Sequence, residues 1–247
     1  MIKFEKTEVV GWEHAIRGMR NAMNSWDKMD SQIVVDKSSM DPDSWRYECV
    51  SLGPNDYELM MKLRNAGTDH RKYLRMIVVY LDITAPLYWW KEFDTYKVGT
   101  VANSCSTMHK IHAKEFTLED FSHEHLFAGD AVDGMYYSKT AEEEFTSSDV
   151  LDVIIEALNH YRELYISCPK ELAPEKKDYW WQMIQLLPSS YNQRRTIELN
   201  YEVLANMYKS RKNHKLDEWH KFCDWIKSLP YSELITGEKK QEETTNE

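Results

Sequence analysis

Glycine and proline are scarce, 8 and 7 of 247 residues, which excludes collagen-like or low-complexity chain and fits long helices joined by short connections. The four cysteines, Cys49, Cys105, Cys168 and Cys223, stand far apart without a C-x-x-C pair. Neither a disulfide framework nor a thiolate zinc site is expected, and a reducing cytoplasm is the compartment that fits. No uncharged apolar run approaches the ~18 residues of a membrane span, and the opening MIKFEKTEVV has the pattern of neither a signal nor a transit peptide. Positive charge is in deficit: 31 Lys and Arg against 41 Asp and Glu give a net −10. That balance weighs against general affinity for a nucleic-acid polymer or an anionic membrane, so any nucleotide must be held by local positive charge. A Walker loop, a Rossmann glycine set, H-E-x-x-H and G-x-S-x-G are also missing.

What the chain does have is apolar material: 42% hydrophobic residues, enough to bury a large core as one domain, expected over 1–236. The tail GEKKQEETTNE, 237–247, lacks apolar residues and is expected to be disordered. MIKFEKTEVV alternates as a strand does, and GWEHAIRGMRNAMNSW sets Trp12, Ile16, Met19, Met23 and Trp26 on one helical face. Residues 27–47 are loop-like with a DPD turn at 41–43; YECVSLG reads as a short strand and PNDYELMMKLRNAG as a helix with Leu59, Met60 and Leu63 inward. LRMIVVYLDIT, 74–84, is the strongest strand, and helical pattern resumes at PLYWWKEFDTYK. After an acidic excursion at 113–147, helices are expected over DVLDVIIEALNHYRELYISC, APEKKDYWWQMIQLLP, NQRRTIELNYEVLANMYKSRK and LDEWHKFCDWIKSL. The fold class is α+β with helices in the majority.

Several residues invite chemistry. Read as one helix, LNYEVLANMYKSR brings Asn200 and Arg211 to the same angle, three turns apart, with Leu204 and Met207 between them. An amide and a guanidinium on a buried stripe need partners. Either Asn200 caps a backbone group and Arg211 pairs with an acid such as Asp217, or both face a ligand. His109, His112, His123 and His125 form the densest histidine group but lack a carboxylate or thiolate at ligand spacing, so solvated histidines are expected and no metal. Cys105 reads as a small buried thiol before a nucleophile, and Trp89-Trp90 and Trp180-Trp181 as core before stacking platforms.

The order of these pieces resembles the flavin-dependent thymidylate synthases over nearly the whole chain. That family has H-x-[ST]-P-F-E-H, a strand ending in Ala-Pro, then R-H-R-x-x-S-x-N-E-x-S. Here LDITAPLYWWKEFDTYKVGTVANSCS holds the second place, and an ungapped count back from Ala85-Pro86 puts His70 on the first His. The helix carrying Arg17 and Arg20 resembles the family's N-terminal unit. LPSSYNQRRTIELNYEVLANMYKSR aligns without a gap to the family's Leu-Pro, Arg and N-A-R-S-L-x-N-F-L-x-L-R, with Leu187-Pro188, Arg194, Asn200, Leu204, Asn206 and Arg211 on matching positions. The resemblance implies a helix-rich α+β fold with a small antiparallel sheet, Arg194 and Arg211 on the phosphate and base of dUMP, and Asn200, Asn206 and His70 at the flavin.

Departures fall mainly on the flavin side. Thr95-Tyr96-Lys97 replaces R-H-R, so only Lys97 keeps a positive charge there. With one inserted residue Asn103 and Ser106 fall on the family's Asn and second Ser; Lys91-Glu92 stand where Arg-Gln are usual, and Glu202 stands at the Arg of N-A-R. The resemblance thus implies reductive methylation of dUMP to dTMP, with FAD bound weakly or lost and with NADPH and methylenetetrahydrofolate as co-substrates. It also implies a homotetramer. The alternatives are a pyrimidine-nucleotide-binding protein of this fold without flavin chemistry, and a related flavoenzyme acting on another pyrimidine nucleotide.

Overall fold

The computed structural model describes residues 2–35, 48–129 and 134–238. In chain order its elements are β1 (Lys3–Val10), α1 (Trp12–Arg20), β2 (Gln32–Val35), β3 (Glu48–Ser51), α2 (Pro54–Asn65), β4 (Val78–Pro86), α3 (Leu87–Phe93), β5 (Val101–Ser104), α4 (Thr107–Lys110), β6 (Tyr136–Ser138), β7 (Glu143–Phe145), α5 (Ser147–Ser167), α6 (Ala173–Leu186), β8 (Asn192–Asn200), α7 (Tyr201–Arg211), α8 (Asp217–Ser228) and α9 (Glu233–Thr236). A four-stranded sheet has the order β1-β4-β8-β5, and the small sheets β2-β3 and β6-β7 are antiparallel. No described helix is long and apolar enough to cross a membrane.

The chain divides into two compact units. One holds 84–93 and 104–194. In it α5 packs on α6 around Ile111, Phe116, Phe121, Leu151, Leu158 and Met183. Its long helix starts at a capping box, in which the Thr146 hydroxyl accepts from the Asp149 amide while Asp149 accepts from Thr146, satisfying donors that a helix start leaves orphaned. Trp89 and Trp90 are buried, and the Trp90 indole donates to the Gln193 carbonyl at 2.9 Å. Trp181, expected in the core, is 40% exposed.

The other unit holds 2–83, 94–103 and the described part of 195–247. Its core includes Trp12, Ile16, Met60, Leu74, Tyr201, Leu204, Trp219 and Phe222, with Trp12 meeting Tyr201 edge-on at 5.5 Å. The α1 helix is seated by Gly11: φ is +94°, and a Cβ there would lie 2.1 Å from the Met76 carbonyl oxygen. Beneath α1, buried Arg20 donates to Asp56 at 2.7 Å, and Asp56 also accepts from the Ser31 hydroxyl and the Asp30 and Ser31 amides.

Four local expectations need correction. The first helix ends at Arg20, with Asn24 left-handed, so Met23 is 82% exposed and Trp26 is also outside the core. Residues 32–35 form strand β2 within the expected loop, while the DPD turn at 41–43 lies outside the described residues. The strand expected over 74–84 begins at Val78, because Arg71–Met76 wind as a 3-10 helix, and it runs on through Ala85-Pro86. The largest change is at 192–200, expected to be helix and found as strand β8. Of the expected disordered tail only Gly237 and Glu238 are described.

Candidate functional site

The strand-to-helix change at Asn200 resets the geometry of the most informative segment. Asn200 does not share a helical stripe with Arg211; it is the N-cap of α7, extended at φ −133°, and its side-chain oxygen accepts from the Val203 amide at 3.1 Å. Gly99 lies against this cap at φ +80°, where an added Cβ would meet Val203 Cγ2 at 2.8 Å. From Tyr201 onward α7 buries Tyr201, Glu202, Leu204, Ala205, Met207 and Tyr208.

A carboxylate in that set requires cations, and the 3-10 helix supplies them. Arg71 and Arg75, four residues apart, face Glu202 and Asn206, also four apart. Arg71 Nε reaches Glu202 at 3.4 Å and its Nη2 donates to Asn206 Oδ1 at 3.0 Å, while Arg75 Nε donates to the other Glu202 oxygen. The hydrogen bond to Glu202, and then its charge, raise the pKa of Arg75. Arg75 and Glu202 thus form an ion pair between the 3-10 helix and α7. Neither partner is evident from sequence alone; the signal was an acid on the buried face of α7.

His70 is exposed at the start of the 3-10 helix. With Lys72, Arg75, Met19, Leu63 and Met76 it lines a cleft of about 510 Å³, within the range of small-molecule sites. Its apolar walls are edged by an imidazole, two cations and the Asp69 carboxylate, a mixed rim that suits a flat ring carrying both donors and acceptors. Lys97 and Asn103 are exposed, Lys97 in the segment after α3 and Asn103 on β5.

Arg211 ends α7. Its Nε donates to the Tyr96 hydroxyl at 2.9 Å, and its guanidinium carbon lies 4.7 Å from the centre of the Trp219 ring and 5.5 Å from that of Tyr96. Tyr96 is thus a direct partner of this arginine.

The other candidates gather in the first unit. Arg194 is half-buried on β8 and its carbonyl accepts from the Cys105 amide at 2.9 Å, which sets Ser106 one residue away. Ser106 is committed as the cap of α4, accepting from the His109 amide at 3.1 Å. Lys91 and Glu92 follow the Trp90 that bonds Gln193, with Lys91 exposed and Glu92 half-buried. Cys105 is exposed, against the expectation of a buried thiol. Among the described residues no group of three or more His, Cys, Asp or Glu is placed to hold a metal ion.

No protein-family profile matches the chain, and no curated protein matches it by sequence. Solved structures do match. Thymidylate synthase X from Helicobacter pylori, with FAD and dUMP, superposes with a TM-score of 0.60 at 14% identity, covering 96% of this chain and 98% of that one. A second structure of the same enzyme complexed with FAD and dUMP gives 0.60 and 14% over 95% and 98%. At that identity the likeness establishes architecture: the chain has the helix-rich α+β fold, with small antiparallel sheets, of the flavin-dependent thymidylate synthases.

Proposed function

We propose that this protein is a divergent flavin-dependent thymidylate synthase-like enzyme that methylates dUMP reductively to dTMP. The observation that carries the reading is the fold likeness over 96% of the chain to a synthase holding FAD and dUMP, joined to the matching offsets of Arg194, Asn200, Asn206 and Arg211. In this reading Arg194 holds the nucleotide phosphate through its planar donor fork, and Arg211, oriented by Tyr96 and Trp219, stabilises negative charge on the uracil ring. Lys91, Glu92 and Ser106 border the substrate. His70, Lys97, Asn103, Asn200 and Asn206 are the residues that would hold FAD, with Lys72 and Arg75 at the cleft edge. FAD, when bound, supplies the hydride; methylenetetrahydrofolate supplies the carbon and NADPH the reducing equivalents. The assembly is a homotetramer, for which light scattering giving the 29.4 kDa monomer is the contrary result.

A second reading is favoured by two observations: Glu202, at the family's Arg position by resemblance, is bonded to Arg71 and Arg75, and Tyr96 accepts a hydrogen bond from Arg211. These bonds occupy groups that would otherwise serve the cofactor side, as expected of a pyrimidine-nucleotide-binding protein without flavin chemistry. Purification separates the two. Flavin absorbance and dTMP formation from dUMP, methylenetetrahydrofolate and NADPH support the enzyme; a colourless protein that binds dUMP without turnover supports the binding protein. Failure to bind either FAD or dUMP overturns both.

A further inference from the structure

Where α7 ends, a second hollow of about 180 Å³ is lined by Arg64, Arg71, Asn206, Lys209, Lys212 and Thr236, with apolar neighbours. Four cations converge here on a chain whose net charge is −10. Lys209 and Lys212 stand at the end of α7, where cations offset the helix dipole, and that accounts for them without a ligand. Arg64 likewise stands in the last turn of its own helix, α2, and Arg71 meets Glu202 and Asn206; what the local reasons leave unexplained is that cations from three segments share one hollow.

Arg64 is held in place. Its Nε and Nη2 donate to the Leu234 and Ile235 carbonyls at 3.2 and 3.0 Å, and Nη1 to Asn65 Oδ1 at 3.0 Å. Gly237, at φ +75°, makes room for it, since a Cβ there would stand 2.3 Å from Nη1. Burial first, and then the charge of Arg71, push its pKa down. Two acids touch the cluster from outside the lining: Glu202 takes Arg71 at 3.4 Å, and exposed Glu238 takes Lys212 at 3.4 Å and the Tyr208 hydroxyl at 3.1 Å. Among the described residues none of those lining the hollow is acidic.

Converging like charges in a partly closed space raise the energy of the apo protein, and a compact anion relieves it. The volume matches a tetrahedral oxyanion with a few waters, at roughly 30 Å³ of liquid volume per water. We propose that this hollow binds a phosphate group, with Lys209, Lys212 and Arg71 supplying charge and Asn206 and Thr236 neutral polar contacts.

The test titrates inorganic phosphate into the full chain at low salt, for the native protein and for the double variant Lys209→Gln/Lys212→Gln, both lysines being exposed. Native protein is expected to bind phosphate, and the double variant to bind it at least about tenfold more weakly, with circular dichroism showing that the variant is folded at the temperature of the titration. Competition between dUMP and phosphate identifies the nucleotide's own phosphate as the occupant; independent binding, with deoxyuridine as control, identifies a separate phosphate or phosphorylated metabolite. Either supports the site. No phosphate binding by native protein, or equal affinity in the variant, overturns it. Absence of flavin or of turnover with phosphate binding retained counts against the proposed enzyme alone.

Discussion

Arg211 sits on two aromatic rings and one hydroxyl, and these contacts set a floor under what its removal costs. The cation–π contact is worth about 1–2 kcal/mol and the Tyr96 hydrogen bond about 1 kcal/mol. Arg211→Ala is therefore expected to lower stability by at least about 2 kcal/mol and to weaken dUMP binding; unchanged dUMP affinity in a calorimetric titration removes Arg211 from the substrate site. Glu202 offers a cleaner experiment. Glu202→Arg sets three cations together and should cost several kcal/mol, on the order of 3, whereas adding Arg75→Glu restores the pair and most of the melting temperature. If the double variant is no more stable than the single, the exchanged charges are not a coupled pair. Asp56 gives the pH dependence. Burial opposes its charge, but hydrogen bonds from the Ser31 hydroxyl, the Asp30 amide, Arg20 and the Ser31 amide outweigh that and hold its pKa below the usual value. Its contribution is complete above the unfolded pKa of about 3.9 and is lost as pH falls through the lower folded value. Asp56→Asn, which strands Arg20, should cost roughly 3–5 kcal/mol near neutrality and flatten the acid limb of a melting-temperature profile; a profile identical in shape to the native one is the contrary result.

At the scale of elements, β8 and α7 show what the sequence reveals and what it hides. Helices α5, α6 and α8 are legible because apolar residues recur at helical spacing and a cap or proline marks an end. NQRRTIELN is misleading: its four long polar side chains suit a helix by propensity, while the strand signal is only the alternation of Ile197, Leu199 and Tyr201, all buried. The sheet decides, since β8 lies between β4 and β5. Asn200 is the boundary, and an Asn before an apolar helical run is a cap signal that an uninterrupted helix had obscured. Asn200→Ala should cost about 1 kcal/mol in chemical denaturation; no loss would mean that the cap bond carries no net stability. The 3-10 turn at Arg71–Met76 has no sequence period, and the network it builds with α7 depends on contacts more than 120 residues apart, as the Arg75–Glu202 bond at a separation of 127 shows.

For the whole molecule, the order of motifs was sufficient to identify the architecture even though no family profile matches. Fold is carried by burial pattern and turn positions, which tolerate exchange of nearly every residue, whereas chemistry rests on a few side chains, several of which differ here. On the proposed reading, the flavin side is where that difference is measurable. Thr95 and Tyr96 cannot supply the charge-assisted bonds of Arg and His, so Thr95→Arg/Tyr96→His should tighten FAD binding by roughly tenfold or more. Tyr96→His also gives up the bond to Arg211, so the melting temperature should fall while affinity rises; tight FAD binding by the native protein would mean that other groups have taken over the phosphate contacts.

The Arg75–Glu202 pair also ties together two segments that lie 127 residues apart. Glu202 is buried in the first turn of α7 and takes Arg71 as well, so a change confined to either segment leaves a charge facing a partner that no longer matches it. The 3-10 turn and the start of α7 are therefore free to vary only together: which substitution one tolerates is set by what the other carries.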